Sequence, residues 1–176
     1  MSGRTLPDFF ERHIVDSAQL ARFLAHDGPI LDLGSGAGLP GLVLAILTQR
    51  HCVLVESRRL RHQFLVDTAA RLGLDNVTVL GERLESVTTF TAAAITARAF
   101  APLARLLPLA ARFAAPDTVW ILPKGRSAAE ELASVEATWQ GRFRMEPSVT
   151  DPDSRIIVAS GVAPRRQAPA QRRHSR

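Results

Sequence analysis

Ile30-Leu31-Asp32-Leu33-Gly34-Ser35-Gly36-Ala37-Gly38-Leu39-Pro40-Gly41 runs from a short, mostly apolar segment into a glycine-rich turn, and the turn opens onto the apolar stretch 42–47. Four residues of that kind before a turn read as a buried strand, Ile30–Leu33, and the apolar stretch after it reads as a buried helix over 39–49. Glycines between the two tolerate positive φ and let a ligand come close to the backbone. The stretch is therefore the strand, loop and helix of a ligand-binding βα unit.

The same unit repeats outward. Strands are predicted at Cys52–Glu56, Val77–Leu80, Ala92–Ala97 and Thr118–Leu122, separated by helical stretches. Leu60, Phe64, Leu65, Ala69 and Leu72 recur at helical spacing before Gly73, while 102–113 opens on a proline and 128–140 ends at Gly141. Ahead of the first strand, Asp16-Ser17-Ala18-Gln19 reads as a capping box starting a helix that runs to about His26. Two last strands, Arg144–Val149 and Ile156–Ser160, are joined by only 150–155, too short for a parallel crossover, so they form an antiparallel hairpin. The expected fold is α/β: a doubly wound, mostly parallel seven-stranded sheet with an antiparallel C-terminal hairpin. Ligands of such sheets bind beyond the carboxyl ends of the strands. That places the site at 33–39, Glu56, 81–85, 98–102 and 123–126, with the hairpin loop 150–155 on the same edge.

Composition limits what such a chain can be. At 176 residues, 46% apolar and 22% charged, with a mean hydropathy of +0.04, it suits one folded domain and excludes disorder throughout. Its apolar runs stop short of the roughly 18 residues that cross a bilayer, and Asp8 and Glu11 stand where a signal peptide would be apolar, so a cytoplasmic, non-membrane protein is expected. Cys52 is the single cysteine and the five histidines lack metal-ligand spacing, so no disulfide and no metal is expected. The net charge of +5 is local, because Arg165, Arg166, Arg172, Arg173 and Arg176 leave 17 basic against 17 acidic residues before them. The change in composition divides the chain into a domain over 1–160 and a basic, disordered tail over 161–176 able to touch phosphate.

The glycines alone do not name the ligand, since Gly36-Ala37-Gly38-Leu39-Pro40-Gly41 also fits the dinucleotide pattern. Asp32 shifts the balance: a carboxylate at this strand end suits the cationic amino group of S-adenosylmethionine and repels a pyrophosphate. Glu56 ends the second strand and accepts ribose hydroxyls in either case. The chain is also too short for a second mononucleotide-binding half, and five parallel βα units closed by a reversed hairpin is the topology of class I, Rossmann-like S-adenosylmethionine-dependent methyltransferases. A nicotinamide-dependent reductase and a non-catalytic nucleotide- or RNA-binding module remain the alternatives. In the methyltransferase reading, Gly34, Gly36, Gly38 and Leu39 cradle the cofactor, Leu84 walls the adenine and Glu85 offers it a polar contact.

The acceptor side opens with Arg98-Ala99-Phe100-Ala101-Pro102. Methyltransferases of exocyclic amines carry an Asn or Asp, two prolines and an aromatic there, and that motif is absent. A carbon target would need a cysteine nucleophile, and Cys52 lies at the wrong end of its strand. Guanine N7 has an exposed lone pair and no proton to lose, and Arg98 can donate either to guanine O6 or to the cofactor carboxylate. Arg98 and Lys124, the only lysine, are the candidate catalytic groups. Arg58, Arg59, Lys124, Arg126 and Arg155 are the candidate contacts to RNA.

Glu11-Arg12-His13-Ile14-Val15-Asp16-Ser17, the Asp32–Gly41 loop with its Leu-Pro-Gly continuation, Arg98-Ala99-Phe100-Ala101-Pro102-Leu103 and Lys124-Gly125 together closely resemble the glucose-inhibited division protein B family. The resemblance spans about residues 6–160. It implies a bacterial 16S ribosomal RNA guanine-N7 methyltransferase, with S-adenosylmethionine on Gly34, Leu39, Leu84, Glu85 and Arg98 and its ribose on Glu56. The implied partner is 16S rRNA or the small ribosomal subunit, near the decoding centre, and a monomeric enzyme is expected. One departure is the third turn, Gly-Glu-Arg-Leu-Glu, where the family carries an Arg-Ala-Glu type of sequence. Another is the absence of tyrosine, which leaves Phe100, Trp120 and Trp139 as candidate stacking surfaces.

Overall fold

A computed structural model describes residues 10–165. Seven strands form one sheet in the order β3-β2-β1-β4-β5-β7-β6. They are β1 (Ile30–Leu33), β2 (Cys52–Val55), β3 (Val77–Leu80), β4 (Ala92–Ala97), β5 (Ala114–Lys124), β6 (Trp139–Pro147) and β7 (Arg155–Pro164). The first five are mutually parallel, and β7 runs antiparallel between β5 and β6. Every side chain of β1 and β2 is buried, which is why Ile30–Leu33 and Cys52–Val55 read as near-continuous apolar runs instead of alternating ones.

Helical segments cover both faces. On one side lie α1 (residues 10–23), α2 (Gly41–Thr48) and α3 (Arg59–Arg71), around a core of Leu20, Leu44, Leu54, Leu65 and Ile121. On the other lie α4 (Leu103–Ala110) and α5 (Ala128–Ala133), around Leu103, Leu106, Phe113, Trp120 and Ile157. A fully buried leucine or phenylalanine contributes about 1.5–3 kcal/mol, so these two clusters hold the helices to the sheet.

The chain leaves β1 toward β2 and leaves β4 toward β5, in opposite directions along the sheet. The carboxyl ends of this central pair, Leu33 beside Ala97, therefore mark the point where a crevice opens.

Three expectations need correction here. The helix ahead of β1 does not start at Asp16: the backbone is already helical at Val15 (φ −64, ψ −40), in a segment made of a π-helical turn Phe10–Val15, Asp16–Ala18 and a 3-10 turn Gln19–Phe23. Ser17 Oγ turns back to the His13 carbonyl at 2.6 Å, so the presumed cap residues are interior ones. The helix after Ser127 ends at Ala133 instead of about residue 140, because Trp139 is drawn into the core and opens β6 opposite Pro164. Strand β7 in turn carries the folded body to Pro164, beyond residue 160, and Arg165 Nε donates to the carbonyls of Glu136 (2.8 Å) and Trp139 (3.0 Å). The remaining residues assigned to the basic tail, 166–176, lie outside the described residues.

Candidate active site

Two cavities flank the crevice. The first is lined by Gly34, Glu56, Ser57, Arg61, Leu84 and Phe100, among others. The glycine loop bends over it with φ of +64 at Gly34 and +58 at Gly36. At Gly34 any side chain is excluded by space as well: a Cβ would lie 2.5 Å from Cδ2 of Phe100, whose ring rests on the bare α-carbon. Gly36 N–H donates to Glu56 Oε2 (3.1 Å) and Arg58 N–H donates to Glu56 Oε1 (2.8 Å), so one carboxylate joins the β1 and β2 loops. A carboxylate offers about four lone-pair sites, which leaves acceptor capacity for the paired hydroxyls of a ribose. Leu84 is buried in the cavity wall, fixed from behind by Arg112, which donates to the carbonyls of Leu84 and Val87. Leu39 is half-buried, and Gly38 is a packing residue whose Cβ would strike Leu42. Glu85 is exposed and does not line the cavity, whereas Glu82 does.

Asp32 corrects a sequence expectation of direct contact. Its side chain has no exposed surface; Oδ1 accepts from Thr96 Oγ1 (2.8 Å) and Oδ2 from Gly41 N–H (3.3 Å). Burial pushes its carboxyl up to about 6 against the hydrogen bonds from Thr96, Ser35 and Gly41. It braces the loop from beneath and acts on any ligand through the backbone above it. Cys52 is also buried at the start of β2, with its thiol pushed up to about 12 by burial, and is no nucleophile.

The second cavity, about 530 Å³, is lined by Asp16, Arg98, Phe100, Lys124, Ser148 and Arg155 among others, a size within the range of small-ligand sites. It shares Ala99 and Phe100 with the first, and Ala99 adopts φ +53, a region L-residues rarely enter. Arg98 lines only this second cavity. Its Nη2 donates to the Arg12 carbonyl (3.2 Å) and lies 3.4 Å from His13 Nδ1, and its Nη1 stands 3.6 Å from Asp16 Oδ2. Among the described residues the buried Nη1 has no hydrogen-bond acceptor. A buried donor left in that state costs about 1–3 kcal/mol, partly offset here by the facing Asp16 carboxylate.

Lys124 is more committed than its position after β5 suggests. Nζ lies 2.9 Å from Glu131 Oε2 and donates to the Ala101 carbonyl at 2.9 Å, so two of its three donors hold the Arg98–Pro102 loop against α5. Burial pushes Glu131 up, but hydrogen bonds from Lys124 and Leu103 N–H and the lysine charge together bring its carboxyl below the ordinary value. Arg126 pairs with Asp153 across exposed surface, and Arg155 donates to the carbonyls of Pro152 and Ser154, so both are tied to the hairpin loop. Arg58 and Arg59 are exposed at the start of α3. Trp120 and Trp139 are buried and are not stacking surfaces; Phe100 alone of the three lines the two cavities at the crevice. Sequence reasoning missed Asp16 and Thr96, whose partners lie far along the chain, and Glu131, which joins nearby Lys124 to the more distant Leu103. No helix among the described residues is long and apolar enough to cross a membrane, and none of their His, Cys, Asp and Glu groups is placed to hold a metal.

Sheet order, glycine loop and the Glu56 carboxylate define a class I S-adenosylmethionine-dependent methyltransferase, the class whose cofactor is S-adenosylmethionine. Solved structures agree in fold: an S-adenosylmethionine-dependent methyltransferase from Aquifex aeolicus (TM-score 0.66, 15% identity, 88% of this chain and 92% of that one) and a ribosomal protein L11 methylase from Lactobacillus delbrueckii subsp. bulgaricus (0.66, 15%, 87% and 79%). Sequence relatives are closer. Proteins named ribosomal RNA small subunit methyltransferase G from Rhizorhabdus wittichii and Sphingopyxis alaskensis are 52% and 50% identical, over 98% and 97% of this chain and 82% and 74% of their own lengths. A model of the family described as GidB, rRNA small subunit methyltransferase G, matches residues 1–152, and the chain belongs to that family.

Proposed function

We propose that this enzyme transfers the methyl group of S-adenosylmethionine to N7 of a guanine in 16S rRNA, near the decoding centre, acting as a cytoplasmic monomer on the small ribosomal subunit or its RNA. The observation that carries the reading is the meeting of the two cavities at Ala99 and Phe100, so that a cofactor over the glycine loop faces an acceptor beside Arg98. The curated relatives' name supplies the RNA class.

Bound S-adenosylmethionine would supply a methyl made electrophilic by its sulfonium; the N7–methyl bond would form as the sulfur–methyl bond breaks, leaving S-adenosylhomocysteine. No proton leaves N7, so no general base is required, and the protein contributes positioning and charge. Glu56 takes the ribose hydroxyls, Leu84 the adenine face and Gly34, Gly36 and Leu39 the path of the cofactor chain. Arg98 offers a guanidinium N–H to guanine O6, and Phe100 carries the base. Lys124 serves as the brace that holds the Arg98 loop, while Arg58, Arg59, Arg126 and Arg155 meet phosphates around the rim.

Radiolabelled S-adenosylmethionine incubated with 16S rRNA and with 30S particles from an unmethylated strain tests this directly. The expected result is label recovered as 7-methylguanosine after digestion. Label in another nucleoside would overturn the N7 assignment, and binding of NADH in place of S-adenosylhomocysteine would overturn the cofactor.

A further inference from the structure

We propose that Asp16 is a positioning residue for methyl transfer, holding Arg98 and the connection between β6 and β7 in place as two walls of the acceptor cavity. The role depends on Arg98 being the acceptor-side cation, as read above. One carboxylate divides its two oxygens between two distant parts of the chain. Oδ2 faces Arg98 Nη1 at 3.6 Å, the same nitrogen that has no hydrogen-bond acceptor. Oδ1 accepts from Thr150 Oγ1 (2.7 Å) and Gln19 Nε2 (2.8 Å), with Ser148 Oγ at 3.4 Å.

Gln19 completes the junction. Its Nε2 also donates to Ser148 Oγ (3.0 Å) and its Oε1 accepts from Val149 N–H (2.9 Å). One turn further along α1, Arg22 donates to the Pro147 carbonyl (3.0 Å). The hairpin connection therefore has its polar groups anchored to α1, and α1 anchors Arg98 through Asp16 and the Arg12 carbonyl. So held, the guanidinium stands at the wall of the cavity that Asp16, Arg98 and Ser148 line together. Asp16 lies too far to take the full hydrogen bond itself, so it orients the charge while leaving the donor available. Its action on the reaction is thus through Arg98 and through the loop, and its loss is expected to misplace the acceptor without touching the glycine loop.

The test uses the full chain carrying Asp16→Ala, Asp16→Asn, Arg98→Gln or Asp16→Ala with Arg98→Gln. Methylation of 30S particles from an unmethylated strain gives kcat and KM, and calorimetry gives S-adenosylhomocysteine affinity. Asp16→Ala is expected to lower kcat/KM by about 10- to 100-fold, the scale of a misplaced reacting group, with S-adenosylhomocysteine affinity unchanged. Asp16→Asn keeps the acceptor for Thr150 and loses the charge facing Arg98, so it falls between Asp16→Ala and wild type. The double variant is expected to be no worse than Arg98→Gln alone, as residues acting as one unit are not additive. Wild-type kcat/KM in Asp16→Ala beside an impaired Arg98→Gln, or losses that multiply, would overturn the proposal while leaving the reading of Arg98 standing. An unimpaired Arg98→Gln removes that reading and this proposal with it. Should Asp16→Ala fail to fold, Thr150→Val tests the loop arm alone: lowered kcat/KM at unchanged cofactor-product affinity supports the role, and wild-type behaviour in both Thr150→Val and Asp16→Asn refutes it.

Discussion

The half of the site around β1 and β2 and the half beyond β4 and β5 are assembled on different scales. Around the glycine loop, the contacts made by the loop's own backbone are short in sequence, Gly41 to Asp32 across 9 residues and Gly36 to Glu56 across 20, with Thr96 bracing Asp32 from 64 residues away. Around Arg98 they are long, 86 residues to Arg12 and 134 between Thr150 and Asp16. The first half is built mainly on one βα unit and its neighbour, with walls added by Leu84 and Phe100. The second exists only once the N-terminal segment, the β4 loop and the hairpin have come together. Cofactor binding and acceptor positioning are therefore expected to fail separately.

The strongest test of that separation is Arg98→Gln. Loss of one preorganised donor in a closed site typically lowers kcat by about 10²–10³-fold, and this variant is expected to do so with S-adenosylhomocysteine affinity intact in calorimetry. Affinity falling in parallel would join the two halves and return Arg98 to a cofactor role. Asp32 gives the next largest effect, on stability. Its carboxyl sits near 6 when folded against 3.8 normally, so the folded chain binds the extra proton between about pH 4 and 6. Stability from this group is full below that window and declines by on the order of 3 kcal/mol as pH rises through it. Asp32→Asn should flatten that part of a denaturation-against-pH curve; an unchanged slope would show the carboxyl titrates normally.

Glu56→Gln should weaken S-adenosylhomocysteine binding by about 1.5–3 kcal/mol, the range for hydrogen bonds to a charged group, while KM for RNA holds. The smallest effect belongs to Lys124→Ala, about 1 kcal/mol of stability for a partly buried pair. The Glu131 carboxyl is held below its ordinary value of 4.5, so the stabilisation it brings is present above that pH and fades as pH falls below it. In Lys124→Ala this acid-side loss should shrink, as followed by thermal unfolding between neutral and acid pH.

The same difference in scale explains what was legible in the sequence. Strands β1 to β4 fell within a residue of their expected bounds because buried parallel strands are apolar throughout, and Gly34 to Gly41 revealed the loop by spacing. Glu56 was legible because it follows its strand directly. Asp16, by contrast, looked like a helix cap, since Asp-Ser-Ala-Gln satisfies a local rule that the preceding helical turn overrides. Lys124 stands out as the only lysine, yet its partner Glu131 lies in a helix that ends at Ala133, well before Gly141, the glycine that reads as its stop. Gly141 instead sits where the β6 to β7 register shifts.

That shift has a consequence for the molecule among its own copies. Strand β6 is an outer edge of the sheet, where free backbone groups invite another chain to add a strand. Here the edge is interrupted between Gln140 and Arg142, bears exposed Arg142 and Arg144, and ends on Pro147. The opposite edge, β3, offers only four residues. Neither border is a good template for continued pairing, so crowding at high concentration is resisted by the shape and charge of the margins themselves.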